Sequence, residues 1–328
     1  LLMHPAAWIP LRALSGFCFA GAQQIMESWL NERSGPDSRG RVFGIYAMVN
    51  LTATTIGQMV LPLGDTGAET FFVLGAVFYA LAMIPTALYA SQQPKPLTEV
   101  SLDIPKLWRN SPVAVVGIVL VGMANSAFGT LAAVYGNAIG MSVTAIAIFL
   151  SATLIAGAVA QVPVGYASDK TDRRHVLIAV GVLAVATSVY FIVAAPRDAM
   201  PILIGPDLFG AFIHTMYPLL VSHANDHAAA DDFLRTSGGL LLLFGIGSIA
   251  GPLIAGGVMG FAGPEGLFMT IAAAHTMLIG FTIWRIRQRA AAAIRRAYVR
   301  MPTARFSTPE TLAMNPRADE DDQADDDR

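Results

Sequence analysis

Long apolar segments separated by short polar connections run through almost the whole chain of 328 residues. Nine of these segments reach the roughly 20 residues that a helix needs to cross a bilayer. They are residues 5–30, 41–63, 68–91, 112–136, 142–167, 174–195, 201–225, 234–260 and 264–289. Because a lipid-exposed backbone must satisfy its own hydrogen bonds, we predict that all nine are helices and that the fold is that of an all-α polytopic membrane protein.

The composition agrees with this prediction. Hydrophobic residues make up 54% of the chain and charged residues only 13%, whereas soluble domains carry about 25% charged residues. This shortage of charge excludes a nucleic-acid-binding protein, a soluble enzyme and a secreted disulfide scaffold. The single cysteine, Cys18, has no second cysteine in the chain with which to form a disulfide.

The basic residues predict the orientation in the membrane. Of the 21 lysines and arginines, nineteen fall on alternate connections and on the C-terminal tail, whereas the opposite connections hold only Arg197 and one span holds Arg12. Since basic residues concentrate on the cytoplasmic side of membrane proteins, we expect a multi-pass protein whose C-terminus is cytoplasmic.

The chain also resembles itself at an offset of 194 residues. Six positions then coincide: Gly16 with Gly210, Ser28 with Ser222, Asn31 with Asn225, Arg41 with Arg235, Gly44 with Gly238 and Gly57 with Gly251. The offset covers six predicted helices, so both copies have the same orientation in the membrane. The second copy begins near Pro112, which implies that the first copy begins about three helices before the present chain.

We therefore expect nine of twelve helices, arranged as two bundles of six. The predicted parts are the remaining three helices of an N-terminal bundle (1–91), a central cytoplasmic linker (92–111), a C-terminal six-helix bundle (112–289), and a cytoplasmic tail that is basic, then acidic and disordered (290–328).

The short connection between the fifth and sixth predicted spans carries a recognisable pattern. Gly165, Asp169, Lys170, Arg173 and Arg174 are spaced as in the loop signature of the major facilitator superfamily, a family of transporters, and the chain resembles bacterial members of that family. Asp172 stands where the family usually has glycine. The resemblance implies two six-helix bundles that rock about a central site, with this loop as a latch that stabilises one access state. The alternative is that the charges only anchor the loop on the cytoplasmic side.

A glycine-rich pattern in the eighth predicted span indicates close helix packing. It comprises Gly247, Gly251, Pro252 and Gly256. It is similar to a motif found in the fifth helix of antiporters of the family, but here it stands in the equivalent of the eleventh helix. The segment equivalent to the fifth helix has Gly57 and Gln58 without proline, so antiport is not supported by this motif.

Ionisable and amide side chains within the spans are candidates for a substrate or proton pathway, because such groups are costly in lipid. They are Arg12, Gln23, Glu27, Asn125, Asp207 and His214. Arg12, Gln23 and Glu27 share one helix face. In the family's fold the helices of Arg12 and Asp207 face each other across a central cavity, and we expect the two residues to form a charge pair or a substrate and proton site there. The alternatives are that Arg12 reaches out to the lipid headgroups, that Glu27 and Asp207 lie at the membrane interface, and that His214 only packs between helices.

The loop from His223 to Asp232 contains histidines and aspartates, but no geometry that would hold a metal ion, so we expect no metal site. His227 and Asp232 also match a short acyltransferase pattern. A solvated loop is the favoured interpretation.

Taken together, these features predict a secondary active transporter of the bacterial inner membrane, not an enzyme, that moves a small solute by alternating access. With no nucleotide-binding motif and no expected cofactor, we expect coupling to protons through Asp207, Glu27 or His214. We also expect contact with the lipid bilayer, no nucleic-acid partner and a monomeric state. The alternatives are a uniporter, a lipid-type flippase, a membrane-embedded acyltransferase or a non-functional fragment.

Overall fold

The computed structural model describes residues 5–33, 36–65, 69–88, 103–194, 199–227 and 233–288. These residues form α-helices joined by short connections, with one 3-10 turn at Leu61–Leu63. The helices are α1 (Pro5–Arg33), α2 (Pro36–Val60), α3 (Thr70–Leu88), α4 (Ile104–Asn110), α5 (Pro112–Ala138), α6 (Val143–Lys170), α7 (Arg173–Ala194), α8 (Ala199–Ile213), α9 (Met216–Asn225), α10 (Phe233–Ala262) and α11 (Gly266–Ile286). The predicted tail and most of the predicted linker lie outside the described residues.

Within the described ranges, five helices are long and apolar enough to cross a membrane: α5, α6, α7, α10 from Thr236, and α11. They coincide with five of the nine predicted spans. Residues Thr70–Pro85 form a further, shorter apolar helix within α3. The prediction of an all-α membrane protein is therefore confirmed.

One predicted span is interrupted. Residues 201–225 were expected to form a single helix, but α8 ends at Ile213 and α9 begins at Met216. The cause is Pro218, which has no N–H to offer to the carbonyl of His214 and whose ring crowds that carbonyl. The hydroxyl of Thr215 donates to the carbonyls of Ala211 (3.0 Å) and Phe212 (2.9 Å) at the break.

The buried core lies between helices α4 to α11. α5 and α10 approach closely, because glycines remove the side chains between them. A Cβ atom added to Gly122 would lie 2.5 Å from the carbonyl oxygen of Phe244, and one added to Gly247 would lie 2.9 Å from the carbonyl carbon of Val119. A Cβ atom added to Gly251 would likewise lie 2.9 Å from the carbonyl carbon of Met123.

Gly256 differs from the other two predicted packing glycines. A Cβ atom at Gly256 would meet no atom of the described chain within 4 Å. Residues four apart lie on nearly the same helix face, whereas the five residues from Gly251 to Gly256 rotate the position by about 140°. Gly256 therefore points away from α5, and the packing prediction fails there. Pro252 lies inside α10 and is partly buried.

Two short features connect this core to the rest of the chain. The helix α4 is part of the predicted linker. Asp103 caps its start, because the carboxylate of Asp103 accepts a hydrogen bond from the backbone N–H of Lys106 (2.8 Å). The helix buries Leu107 against α10. In the first three helices, Gln58 of α2 accepts a hydrogen bond from Ser151 of α6 (2.7 Å).

Candidate functional site

A cluster of charges lies where α6 ends, α7 begins and α9 ends. We call this part of the molecule the basic end; it is defined by Lys170, Arg173, Arg174 and Arg285. Only Thr171 and Asp172 separate α6 from α7, so the signature residues of both helices are held close together.

Arg173 is the centre of the cluster and is almost fully buried. Its Nε donates to Asp226 at 2.7 Å, its Nη1 to the hydroxyl of Ser168 at 2.8 Å, and its Nη2 to Asp169 at 3.4 Å. The guanidinium thus ties the end of α6 to the C-terminal residue that caps α9. A buried arginine needs such partners, because an uncompensated charge inside a protein is costly.

Asp226 was not among the predicted site residues. It belongs to the stretch expected to be a solvated loop, yet only 3% of its side chain is exposed, and His223 and Asn225 are buried as well. The physical reason is the ion pair with Arg173, which draws the end of α9 onto α7. Asp232, the other half of the acyltransferase pattern, lies outside the described residues.

Arg174 has a partner of its own. Its side chain binds both carboxylate oxygens of Asp172, with Nη2 2.7 Å from Oδ2, and its backbone N–H donates to Oδ1 at 3.0 Å. Partial burial raises the pKa of Asp172, but these hydrogen bonds from Arg174 outweigh it, so that the pKa lies below its usual value. Asp172 therefore caps the start of α7 at the position where the family usually has glycine.

The remaining residues of the signature are arranged around these two pairs. Gly165 is buried inside α6. Asp169, with 41% of its side chain exposed, reaches Arg173. Lys170 donates to the hydroxyl of Tyr166 and lies 4.2 Å from the centre of its ring.

The predicted residues at membrane depth are more widely spread. Arg12 in α1 and Asp207 in α8 are both exposed, and the structure forms no ion pair between these two described residues. The expected charge pair is therefore absent in this conformation. Gln23 is buried and accepts a hydrogen bond from the hydroxyl of Tyr46 in α2, which is the ordinary use of an amide between membrane helices. Glu27 belongs to α1, but its side chain lies outside the described part of the chain.

Asn125 and His214 lie at the midpoints of their spans. Asn125 is the central residue of α5, and no described group hydrogen-bonds its buried Oδ1. His214 lies at the break between α8 and α9 and packs against α6, where a Cβ atom on Gly157 would lie 2.6 Å from its Cβ. Neither α8, with 15 residues, nor α9, with 10, is long enough to cross a bilayer alone, and the break lies halfway along the predicted span 201–225.

Discontinuous helices are typical of the binding sites of helical membrane transporters. The sequence places the protein within one family of them. The chain belongs to the Major Facilitator Superfamily, whose family model matches residues 1–204 and, in a second match, residues 114–308.

Individual relatives agree with the family. A Yersinia pestis (strain Pestoides F) protein and a Salmonella arizonae protein, YcaD, each bear the name uncharacterized MFS-type transporter. The Yersinia protein is 27% identical over 270 residues and the Salmonella protein 26% identical over 271 residues. Both matches cover 81% of this chain and 69% of the relative.

Proposed function

We propose that the protein is a secondary active transporter that moves a small solute by alternating access and couples this movement to protons. The observation that carries the proposal is the break between α8 and α9 in the middle of a predicted span. Discontinuous helices in transporters leave backbone and side-chain groups available to a substrate near the bilayer midplane.

The proposed site contains His214 at the break, Asn125 at the same depth on α5, and Asp207 one helical segment away on α8. Histidine is the residue type that proteins most often use to carry protons in the physiological pH range, and His214 is the histidine at the break. Arg12 and Gln23 of α1, with Glu27, form the facing side that the family's fold implies. We place the protein in the bacterial inner membrane as a monomer, with the basic end and the C-terminus in the cytoplasm.

The site is tested by ligand-dependent thermal stabilisation of the full-length protein against a panel of metabolites and drugs. A ligand that binds the folded protein raises its unfolding temperature by mass action. We expect His214→Gln and Asn125→Leu to lose the response to the ligands that stabilise the wild type. His175→Gln, which changes an exposed histidine of α7, is the matched control and should keep it. An unchanged response in both site variants would place the substrate elsewhere.

Coupling is tested on the same ligands in proteoliposomes with a pH-sensitive dye inside. We expect the ligand to carry protons with it in the wild type, and His214→Gln to abolish proton movement. Solute uptake without a change of internal pH would instead identify a uniporter.

We further propose that the charge cluster at the basic end stabilises one access state. Arg173 joins α6, α7 and α9, and breaking the cluster should change how the basic end is positioned relative to the first three helices. The test uses spin labels on cysteines at the exposed positions Leu88 and His175 in a Cys18→Ala background. We expect Asp226→Asn to shift the population of distances. A lower unfolding temperature with unchanged distances would assign the cluster a purely structural role.

A further inference from the structure

A cleft opens at the basic end between five helices. It is open to the surface. Its lining residues come from the end of α4, the start of α5, the start of α7, the end of α9 and the end of α11: Asn110, Ser111, Pro112, Val113, Arg174, His223, His227 and Arg285. We call this feature the basic-end cleft.

The first turn of α5 borders this cleft. Pro112 and Val113 line the cleft and are the first two residues of a 27-residue helix. The first N–H groups of a helix have no acceptor within it, and the helix dipole places partial positive charge at this end. Such a terminus favours an anion.

The hydroxyl of Ser111 is an independent sign of a missing ligand. Ser111 lines the cleft and is only 1% exposed, and its side chain makes no capping bond to α5. Its Oγ has no hydrogen-bond partner among the described residues. Because buried polar groups in native proteins are nearly always paired, the hydroxyl is expected to bond to something that enters the cleft.

The side chains that line the cleft beside Ser111 include two guanidinium groups and no carboxylate. Arg285 donates to the neutral amide of Gln288 (2.8 Å), and none of the described carboxylates lies within ion-pairing distance of it. Arg174 contributes a second guanidinium, although Asp172 binds it from outside the cleft. Among the lining residues none is acidic, so the cleft collects arginine, histidine and hydroxyl donors around an empty space.

The depth of the cleft is that of the lipid headgroups. Pro112 is the first residue of one span, and Arg285 is the last but one of another. From these observations we propose that the basic-end cleft binds a phosphate group, which either an anionic phospholipid headgroup or free phosphate in solution can supply. Arg285 and Ser111 would bind its oxygens, together with the backbone N–H of Val113, since Pro112 has no N–H. Arginine and helix N-termini are the groups that proteins commonly use to bind phosphate.

The test follows the full-length protein, purified in mild detergent and phosphate-free buffer. Its thermal unfolding is measured while sodium phosphate replaces sodium chloride at constant ionic strength. In a second arm, the protein is placed in nanodiscs of phosphatidylcholine with or without phosphatidylglycerol, and native mass spectrometry counts the lipids that it retains.

Phosphate or phosphatidylglycerol should bind the wild type, and Arg285→Gln should weaken the apparent Kd by about tenfold or more, since a charge-assisted hydrogen bond is lost. Ser111→Ala should weaken binding less than Arg285→Gln does. Arg285→Lys keeps the positive charge and should retain part of the affinity, which would show that the end of α11 still folds. Arg287→Gln, which changes an exposed arginine that does not line the cleft, should bind as the wild type does.

The two arms distinguish the sources of the phosphate group. Retention of phosphatidylglycerol alone identifies a lipid headgroup, whereas a response to sodium phosphate alone identifies a soluble phosphate. The proposal is overturned if the wild type responds in neither arm, or if Arg285→Gln and Ser111→Ala respond as strongly as Arg287→Gln.

Discussion

The contact between α5 and α10 predicts that alanine substitutions at two glycines of one motif change the stability of the protein in opposite directions. The substitution is Gly247→Ala, and Gly256→Ala is its matched control on the same helix. In both variants one hydrogen becomes a methyl group. At Gly247 that methyl carbon would lie 2.9 Å from the carbonyl carbon of Val119 and 3.0 Å from the backbone nitrogen of Met123, whereas at Gly256 it would meet nothing within 4 Å.

The size of the effect follows from these distances. Carbon atoms in van der Waals contact are about 3.5–4.0 Å apart, so the methyl group of Gly247→Ala can fit only if the two backbones separate. Overpacking of this kind costs about 1–3 kcal/mol. Alanine gains up to about 1 kcal/mol over glycine in a helix interior, which offsets part of that cost at Gly247 and is the main effect at Gly256.

Thermal unfolding of the full-length protein, followed by tryptophan fluorescence, measures the difference. We expect Gly247→Ala to unfold at a lower temperature than the wild type and Gly256→Ala at the same or a higher temperature. Gly251→Ala should behave like Gly247→Ala, since its Cβ atom would also lie 2.9 Å from a carbonyl carbon. Equal unfolding temperatures for Gly247→Ala and Gly256→Ala would show that the glycines do not hold the two helices together.

Three further predictions concern the charged end and the broken helix. Asp226→Asn should destabilise the protein by about 3–5 kcal/mol in chemical denaturation, because Arg173 stays buried without its main partner. Asp169→Asn changes an exposed partner of the same arginine and should cost less than about 1 kcal/mol. The pKa of Asp172 is lowered in the folded protein, so its contribution to the free energy of unfolding is fully present above the unfolded pKa of about 3.9 and is lost as the pH falls through the folded pKa. Asp172→Asn should therefore make the free energy of unfolding depend less on pH in that acidic range. Pro218→Ala restores an N–H for the carbonyl of His214, and it should raise the unfolding temperature while reducing uptake of any ligand found in the panel.

The parts of the fold that depend on local sequence could be predicted. Length and hydropathy located the apolar helices, and the two-residue connection between α6 and α7 keeps Asp169 and Arg173 close together. The break at His214 also had a local signal, because Pro218 follows it by four residues. The span was nevertheless predicted as continuous, since membrane helices often tolerate proline and apolar character alone does not reveal a break.

Partners that are distant in the chain could not be predicted in the same way. Asp226 lies 53 residues after Arg173, and nothing near either residue indicates that α9 returns to the start of α7. The same limit explains the buried loop residues and the missing charge pair. The offset repeat relates Arg12 to the neighbourhood of Asp207 by symmetry, but symmetry gives only equivalent positions and does not bring two side chains into contact.

The two adjacent arginines of α7 illustrate how one short sequence can serve two separate purposes. Successive residues of an α-helix point about 100° apart, so Arg173 and Arg174 cannot face the same neighbour. Arg173 turns towards Ser168 and Asp226 and joins three helices, while Arg174 binds Asp172 and lines the cleft beside Ser111. An aspartate in place of the usual glycine gives Arg174 a fixed carboxylate partner at the edge of the cleft. A bound phosphate group there would lie next to the cluster that we propose as a latch, so anion binding would act on the same helix ends that the access change must move.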